Sequence, residues 1–206
     1  MSIRVLLIED HFLARMALRS VLNGRGDISL VAEASDGASG VEMYRQCAPD
    51  VTVMDLRLPG LSGFDAITAI RKLCKTAKIA VLSNYEGSED IYRAIRNGAM
   101  AYLNKNASGE ELVEAIVTVH KGLRYLPPIA RDRLAERTSL VALTPREHEV
   151  LTCITRGQNN RDIAQQLGIA EKTVRIHVSS VLDKMGVRDR TQAAICAIQR
   201  GLVHWE

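Results

Sequence analysis

The chain has 206 residues, 47% of them hydrophobic, which is too long for one average domain and leaves material for two cores. A formal charge of +3 permits a nucleic-acid partner without demanding one. The scattered cysteines Cys47, Cys74, Cys153 and Cys196 form no CxxC pair, which speaks against a zinc or dithiol site, and no apolar run reaches the ~18 residues of a membrane span, so a soluble protein of a reducing cytoplasm is expected, with no membrane partner.

From residue 3 to about 122, short β-branched runs alternate with amphipathic stretches. The runs are IRVLLI (3–8), ISLVAEA (28–34), VTVM (51–54), IAVLS (79–83) and AYL (101–103). Between them Leu13, Met16, Ala17 and Val21 recur at helical spacing, as do Leu112, Ile116, Val119 and Leu123. Five strands alternating with five helices predict an α/β doubly wound, five-stranded parallel sheet covered on both faces. Residues 123–143 carry a Pro pair and dense charge, the pattern of a part-helical linker. After them the strand signal ends. LTPREHEV opens a helix with Thr144 as cap, Pro145 at the first helical position and Glu147 completing a capping box. NNRDIAQQLG, EKTVRIHVSSVLDKMG and DRTQAAICAIQRG supply three more helices, so 144–206 is expected to be a small all-α domain.

Binding sites in such a sheet lie beyond the carboxyl ends of the strands. Glu9 and Asp10 follow the first strand, Asp55 the third, Ser83 ends the fourth and Lys105 follows the fifth. Singly these residues are weak signals: Asp10 is well placed to cap the helix of Leu13 and Met16, and Lys105 reads as a solvated loop lysine. Jointly they put three carboxylates, a hydroxyl and an ammonium on one rim. Clustered carboxylates call for protonation or a hard divalent cation, and Mg²⁺ suits a site that keeps room for water and phosphate. Asp55 is then a candidate nucleophile toward phosphorus, with Lys105 offsetting charge on the transferring oxygens.

Glu9 with Asp10, Asp55 with Pro59 and Gly63, Ser83 and Lys105 together resemble the receiver domain of two-component response regulators, a flavodoxin-like fold, over residues 1–122. The resemblance implies that a histidine kinase phosphorylates Asp55. It also implies a Mg²⁺ held by Glu9, Asp10, Asp55 and the main-chain carbonyl of Arg57, and a switch in which the Ser83 hydroxyl turns to the phosphoryl group while Tyr102 repacks inward. Read without the resemblance, Tyr102 is equally an edge-strand surface aromatic. Ser83 stands where threonine is common and keeps the hydroxyl. Asn84 replaces a small residue, which is expected to slow phosphoryl entry or water attack.

In EKTVRIHVSSVLDKMG, steps of 100° gather Val174, Val178, Val181, Leu182 and Met185 on one face and Lys172, Arg175, Ile176, Ser179 and Asp183 on the other. The second face suits reading of base edges, although an ordinary polar face has the same periodicity. With the turn at Gly168-Ile169 the pattern is a helix-turn-helix. Nine Lys/Arg against seven Asp/Glu in 144–206 is thin for DNA binding by one copy. LTPREHEVL, GQNNRDIAQQLGIAEKTVRIHV and RTQAAICAIQRGLV closely resemble the LuxR-type helix-turn-helix of the NarL/FixJ family. That likeness implies double-stranded DNA as partner, with Arg175, Ile176 and Ser179 facing bases and Lys172, Thr173 and Lys184 near phosphates. It further implies a homodimer through the alanine-rich last helix, and it leaves room for RNA polymerase as a contact. Ala170 replaces a common capping serine, at a cost of ~1 kcal/mol. Two other classes compete. Aspartate-nucleophile phosphatases place a second Asp two residues on, where this chain has Arg57, so an enzyme is not expected. A receiver that is never phosphorylated would not need the complete acid, hydroxyl and lysine set.

Overall fold

The β-branched runs cannot satisfy their backbone groups alone, and in the computed structural model they pair into one parallel sheet. The structure describes residues 2–84, 87–138 and 142–204. Strands β1 (Ile3–Ile8), β2 (Ile28–Ala34), β3 (Val51–Met54), β4 (Ile79–Ser83) and β5 (Ala101–Asn104) lie in the order β2-β1-β3-β4-β5. The first four match the sequence runs, and the fifth extends one residue further, to Asn104.

Alternation sends successive side chains to opposite faces. Val5, Leu7 and Val53 pack with Leu22 of α1 (Phe12–Asn23) and with Leu112 and Ile116 of α5 (Gly109–His120). Ile8 faces α2 (Gly37–Cys47), where a Cβ at Gly40 would fall 2.4 Å from its Cδ1. On that side α3 (Gly63–Leu73) and α4 (Ser88–Asn97) are tied by Asn97, whose amide donates to the carbonyl of Phe64. The expected stripe of α1 is corrected in part: Leu13 is 78% and Met16 49% exposed and Ala17 is exposed too, while Val21 packs on the core as expected, together with Leu18 and Leu22. Leu123 lies past the end of α5 and is exposed as well.

The expected linker begins as an addition to the sheet. Tyr125 N–H donates to Met100 O and Tyr125 O accepts from Tyr102 N, placing one rung on the free edge of β5. Helix α6 (Pro128–Thr138) follows, while 139–141 lie outside the described residues. The sheet-bearing unit runs through Arg131, and the second compact unit, with which residues 88–90 group, continues from Asp132.

That unit holds α7 (Pro145–Thr155), α8 (Asn160–Leu167), α9 (Glu171–Met185) and α10 (Arg190–Gln199). Capping boxes at Thr144 and Asn159 satisfy the first amides of α7 and α8, whereas Ala170 gives α9 no side-chain cap. Val150, Ile154, Ile163 and Val174 form one cluster, and Leu151, Val181, Met185, Ala193 and Ala197 another. Gly168 ends α8 at φ 64°, a left-handed cap that opens the tight turn before α9.

Candidate functional site

Register brings the acids together. Ile8 pairs with Met54, so the residues that follow them, Glu9 and Asp55, leave the sheet side by side where the strand order reverses between β1 and β3. Asp55 N–H donates to Ile8 O at 2.9 Å, and the turn that follows returns tightly: a Cβ at Gly63 would stand 2.2 Å from the Asp55 carbonyl oxygen. Only glycine allows α3 to start that close. Ser83 ends β4, and its carbonyl accepts from Lys105 N at 3.1 Å, which launches the lysine over the rim.

Lys105 Nζ lies 2.7 Å from Asp55 Oδ2 and 2.8 Å from Glu9. Asp55 Oδ1 also accepts from the Leu56 N–H at 2.6 Å. Glu9 is 1% and Asp55 4% exposed. Burial drives the Glu9 carboxyl above its ordinary pKa, and the Asp55 charge adds to this, although Lys105 works against both. Burial pulls the Lys105 ammonium down, but its hydrogen bonds to Asp55 and Glu9 outweigh that and leave it raised. One ammonium thus faces both Glu9 and Asp55, with Asp10 next along the chain, a carboxylate excess that a divalent cation would relieve.

Asp10 does not cap α1. The N-cap is His11, without a side-chain cap bond, which removes the structural alternative for Asp10. His11 instead places Nδ1 3.3 Å from Asp10 Oδ1, and Glu9, Asp10 and His11 bring ligand atoms within 4.8 Å of one another. The hard oxygens of Glu9, Asp10 and Asp55 fit Mg²⁺. Arg57, included for its carbonyl, lies on the exposed turn after β3. His11 escaped the sequence reading because an exposed histidine after two acids carries no periodic signal. Ser83 is buried beside the site at 1% exposure, and Asn84 is exposed.

Tyr102 is 2% exposed, so it is no surface aromatic, and its ring stands turned inward. The backbone of Tyr125 covers the strand edge there, bonding to Met100 and to Tyr102 itself on either side of Ala101.

On α9, Lys172, Arg175, Ile176 and Ser179 are exposed and Thr173 half-buried, while Val174, Val181 and Met185 are buried, as the helical angles required. Arg175 is steadied by Glu171 at 2.6 Å, one turn back. Lys184 is a correction: its Nζ lies 2.6 Å from buried Glu147, so its charge is already matched inside the unit rather than offered to a phosphate. The Glu147 oxygens also accept from Ser180 Oγ and Thr144 N, both at 2.7 Å. Burial acts to raise the Glu147 carboxyl, but Lys184, Ser180 and Thr144 together bring it down to about 2. Arg190 donates to the carbonyl of Gln158, which fixes α10 to the loop ahead of α8. None of the described helices is long and apolar enough to cross a membrane.

Residues 5–117 match the family described as "Response regulator receiver domain", and residues 141–197 that described as "Bacterial regulatory proteins, luxR family". The transcriptional regulatory protein LiaR of Bacillus subtilis (strain 168) is 38% identical over 210 residues, covering 98% of this chain and all of that protein. The response regulator protein VraR of Staphylococcus epidermidis is 34% identical over 208 residues, with the same coverage. Among solved structures, the response regulator ChrA of a heme-sensing two component system aligns over 98% of this chain and 99% of its own, at 38% identity and a TM-score of 0.59. RcsB of Salmonella typhimurium shares the fold at a TM-score of 0.73 and 21% identity, over 94% of this chain and 98% of its own.

Proposed function

The chain belongs to the response regulators that join a receiver domain to a LuxR-type DNA-binding domain, and on that premise we propose that phosphorylation of Asp55 by a histidine kinase sets the DNA affinity of residues 144–206. The observation that carries this reading is Asp55 at the strand-order reversal, with one carboxylate oxygen on Lys105 and its neighbour Glu9 in need of positive charge.

Asp55 Oδ2 attacks phosphorus as the phosphorus–nitrogen bond to the kinase histidine breaks. The electron pair stays on the imidazole nitrogen, which takes a proton from solvent. Lys105 Nζ, at 2.7 Å from Oδ2, offsets charge on the transferring phosphoryl oxygens. Glu9, Asp10, Asp55 and the Arg57 carbonyl would hold Mg²⁺, which when bound neutralises the carboxylates and the incoming phosphate. Ser83, buried at the end of β4, supplies the hydroxyl nearest in sequence to the rim. The acyl phosphate is later lost to water, and Asn84, exposed next to Ser83, slows phosphoryl entry or that loss. No acid stands at position 57, so turnover of free phosphate esters is not part of this function.

Phosphorylation favours one of two receiver states, and that state favours a homodimer on DNA. Arg175, Ile176 and Ser179 read base edges, while Lys172 and Thr173 touch phosphates. With few cations per copy, two linked half-sites bind where one does not. The protein acts in the cytoplasm, where kinase, DNA and RNA polymerase meet. Incubation with a small phosphodonor and Mg²⁺, followed by intact mass, tests the first step: the chain gains one phosphoryl group and Asp55→Asn gains none. An equal gain by the variant would refute the assignment.

A further inference from the structure

The sheet-bearing unit has a second charged pole. At the end where the strands begin, opposite Asp55, Arg71 near the end of α3, Lys75 and Lys78 ahead of β4 and Arg124 after α5 line a cleft of about 410 Å³. Ile95 and Met100 give it an apolar wall, and no lining residue is acidic.

Two of the cations are held in place by uncharged groups. Arg71 Nη1 donates to Ala77 O at 3.2 Å, and Lys78 Nζ donates to the carbonyl of His120. A carbonyl fixes a direction but cancels no charge, and most of the donor protons of both groups remain. Gly98, at φ 117°, makes room for this: a Cβ there would come within 2.7 Å of Arg71 Nε.

The plainer explanation is that these cations complement the carboxyl ends of α3, α4 and α5, which converge here. Three helix ends supply roughly 1.5 negative charges in total. Four positive charges, two of them held in place, exceed that by more than two. A concave cleft of one sign focuses its field and raises the local concentration of counter-ions. Its volume lies in the range of small-molecule sites, and its wall is partly apolar.

We propose that this cleft binds a compact polyphosphate anion, either free or carried by a nucleotide. Arg71 and Lys78, already oriented, take the inner phosphate. Lys75 and Arg124, both exposed, close on the outer one. Ile95 and Met100 are the surface on which a nucleoside would rest. Because Arg124 directly precedes Tyr125, an occupied cleft would also hold the added rung against β5.

The test uses the full chain in EDTA without Mg²⁺, so that the Asp55 rim cannot bind phosphate through a metal. Amide spectra are followed during titration with sodium tripolyphosphate and, separately, with ATP, at constant ionic strength. Saturable shifts of the Thr76, Gly98 and Gly122 amides are expected, with Leu56 and Lys105 unmoved. The double variant Lys75→Glu/Arg124→Glu, changed at two exposed positions, should keep its spectrum elsewhere and bind at least tenfold more weakly. Tighter binding of ATP than of tripolyphosphate assigns the site to nucleotides, and equal binding assigns it to the phosphate chain alone. Four results would overturn the proposal: no saturable shift at the cleft, shifts centred on Asp55, equal shifts with sodium sulfate, or a response to duplex DNA in place of both phosphates.

Discussion

Glu147 and Asp55 are both carboxylates no more than 5% exposed, and each meets a lysine ammonium at 2.6–2.7 Å. In the helical unit the account closes: one carboxylate and one ammonium, with Ser180 and Thr144 using the remaining acceptor sites. At the strand ends it stays open, because Glu9 and Asp55 share the single ammonium of Lys105 and Asp10 stands beside them in the chain. The pKa directions follow, Glu147 being lowered to about 2 and Glu9 raised. A buried acid with every lone pair used holds helices together. A buried acid in an unbalanced cluster is ready to accept a cation or a phosphoryl group.

The comparison breaks most visibly under amide substitution. Asp55→Asn should abolish the phosphoryl adduct seen by intact mass, whereas Glu147→Gln should leave it complete. Removing the carboxylate altogether reverses the ranking for stability. Glu147→Ala leaves Lys184 unmatched in α9 and opens the cap of α7, and should destabilise the helical unit by about 3 kcal/mol, read from amide exchange in α7 and α9.

At the DNA face, Arg175→Ala should cost about 1–3 kcal/mol on a selected duplex and little on random sequence. Lys172→Ala should weaken both equally and lower the salt slope by about one. Equal losses on every duplex for both variants would contradict the division between base and phosphate contacts.

Acid separates the two carboxylates by sign. The folded-state pKa of Glu147 is lowered, so the stability it contributes is present above about 4.5 and lost as the pH falls toward 2. For Glu9 the folded-state pKa is raised, so the stability it contributes is present while the group is protonated and is lost as the pH rises through that value. Carboxyl carbon shifts should show Glu147 titrating below, and Glu9 above, the ordinary glutamate range. The smallest effect is a gain: Ala170→Ser restores a side-chain cap to α9 and should add about 0.5–1 kcal/mol, seen in urea unfolding.

The strands were legible because β-branched runs bounded by Gly, Pro and Asp leave little choice of register. The rim was legible for the same reason, since strand ends in a parallel sheet share one side. Helix faces were less so. Leu13 and Met16 have the spacing of a core stripe, but the core is reached only through Leu18, Val21 and Leu22. The likeness to the LuxR-type domain set Lys184 near phosphates but did not show that an acid thirty-seven residues earlier would claim it. Tyr125 makes a single rung in a Pro-flanked, charged stretch, and one rung has no pattern to read.

The most direct measurement is DNA affinity as a function of phosphorylation, with the full chain titrated against a selected duplex before and after treatment with a small phosphodonor. Affinity should rise for the native chain and stay flat for Asp55→Asn. The same rise in both, or none in a native chain whose mass shows full phosphorylation, would contradict control of the helical unit through Asp55.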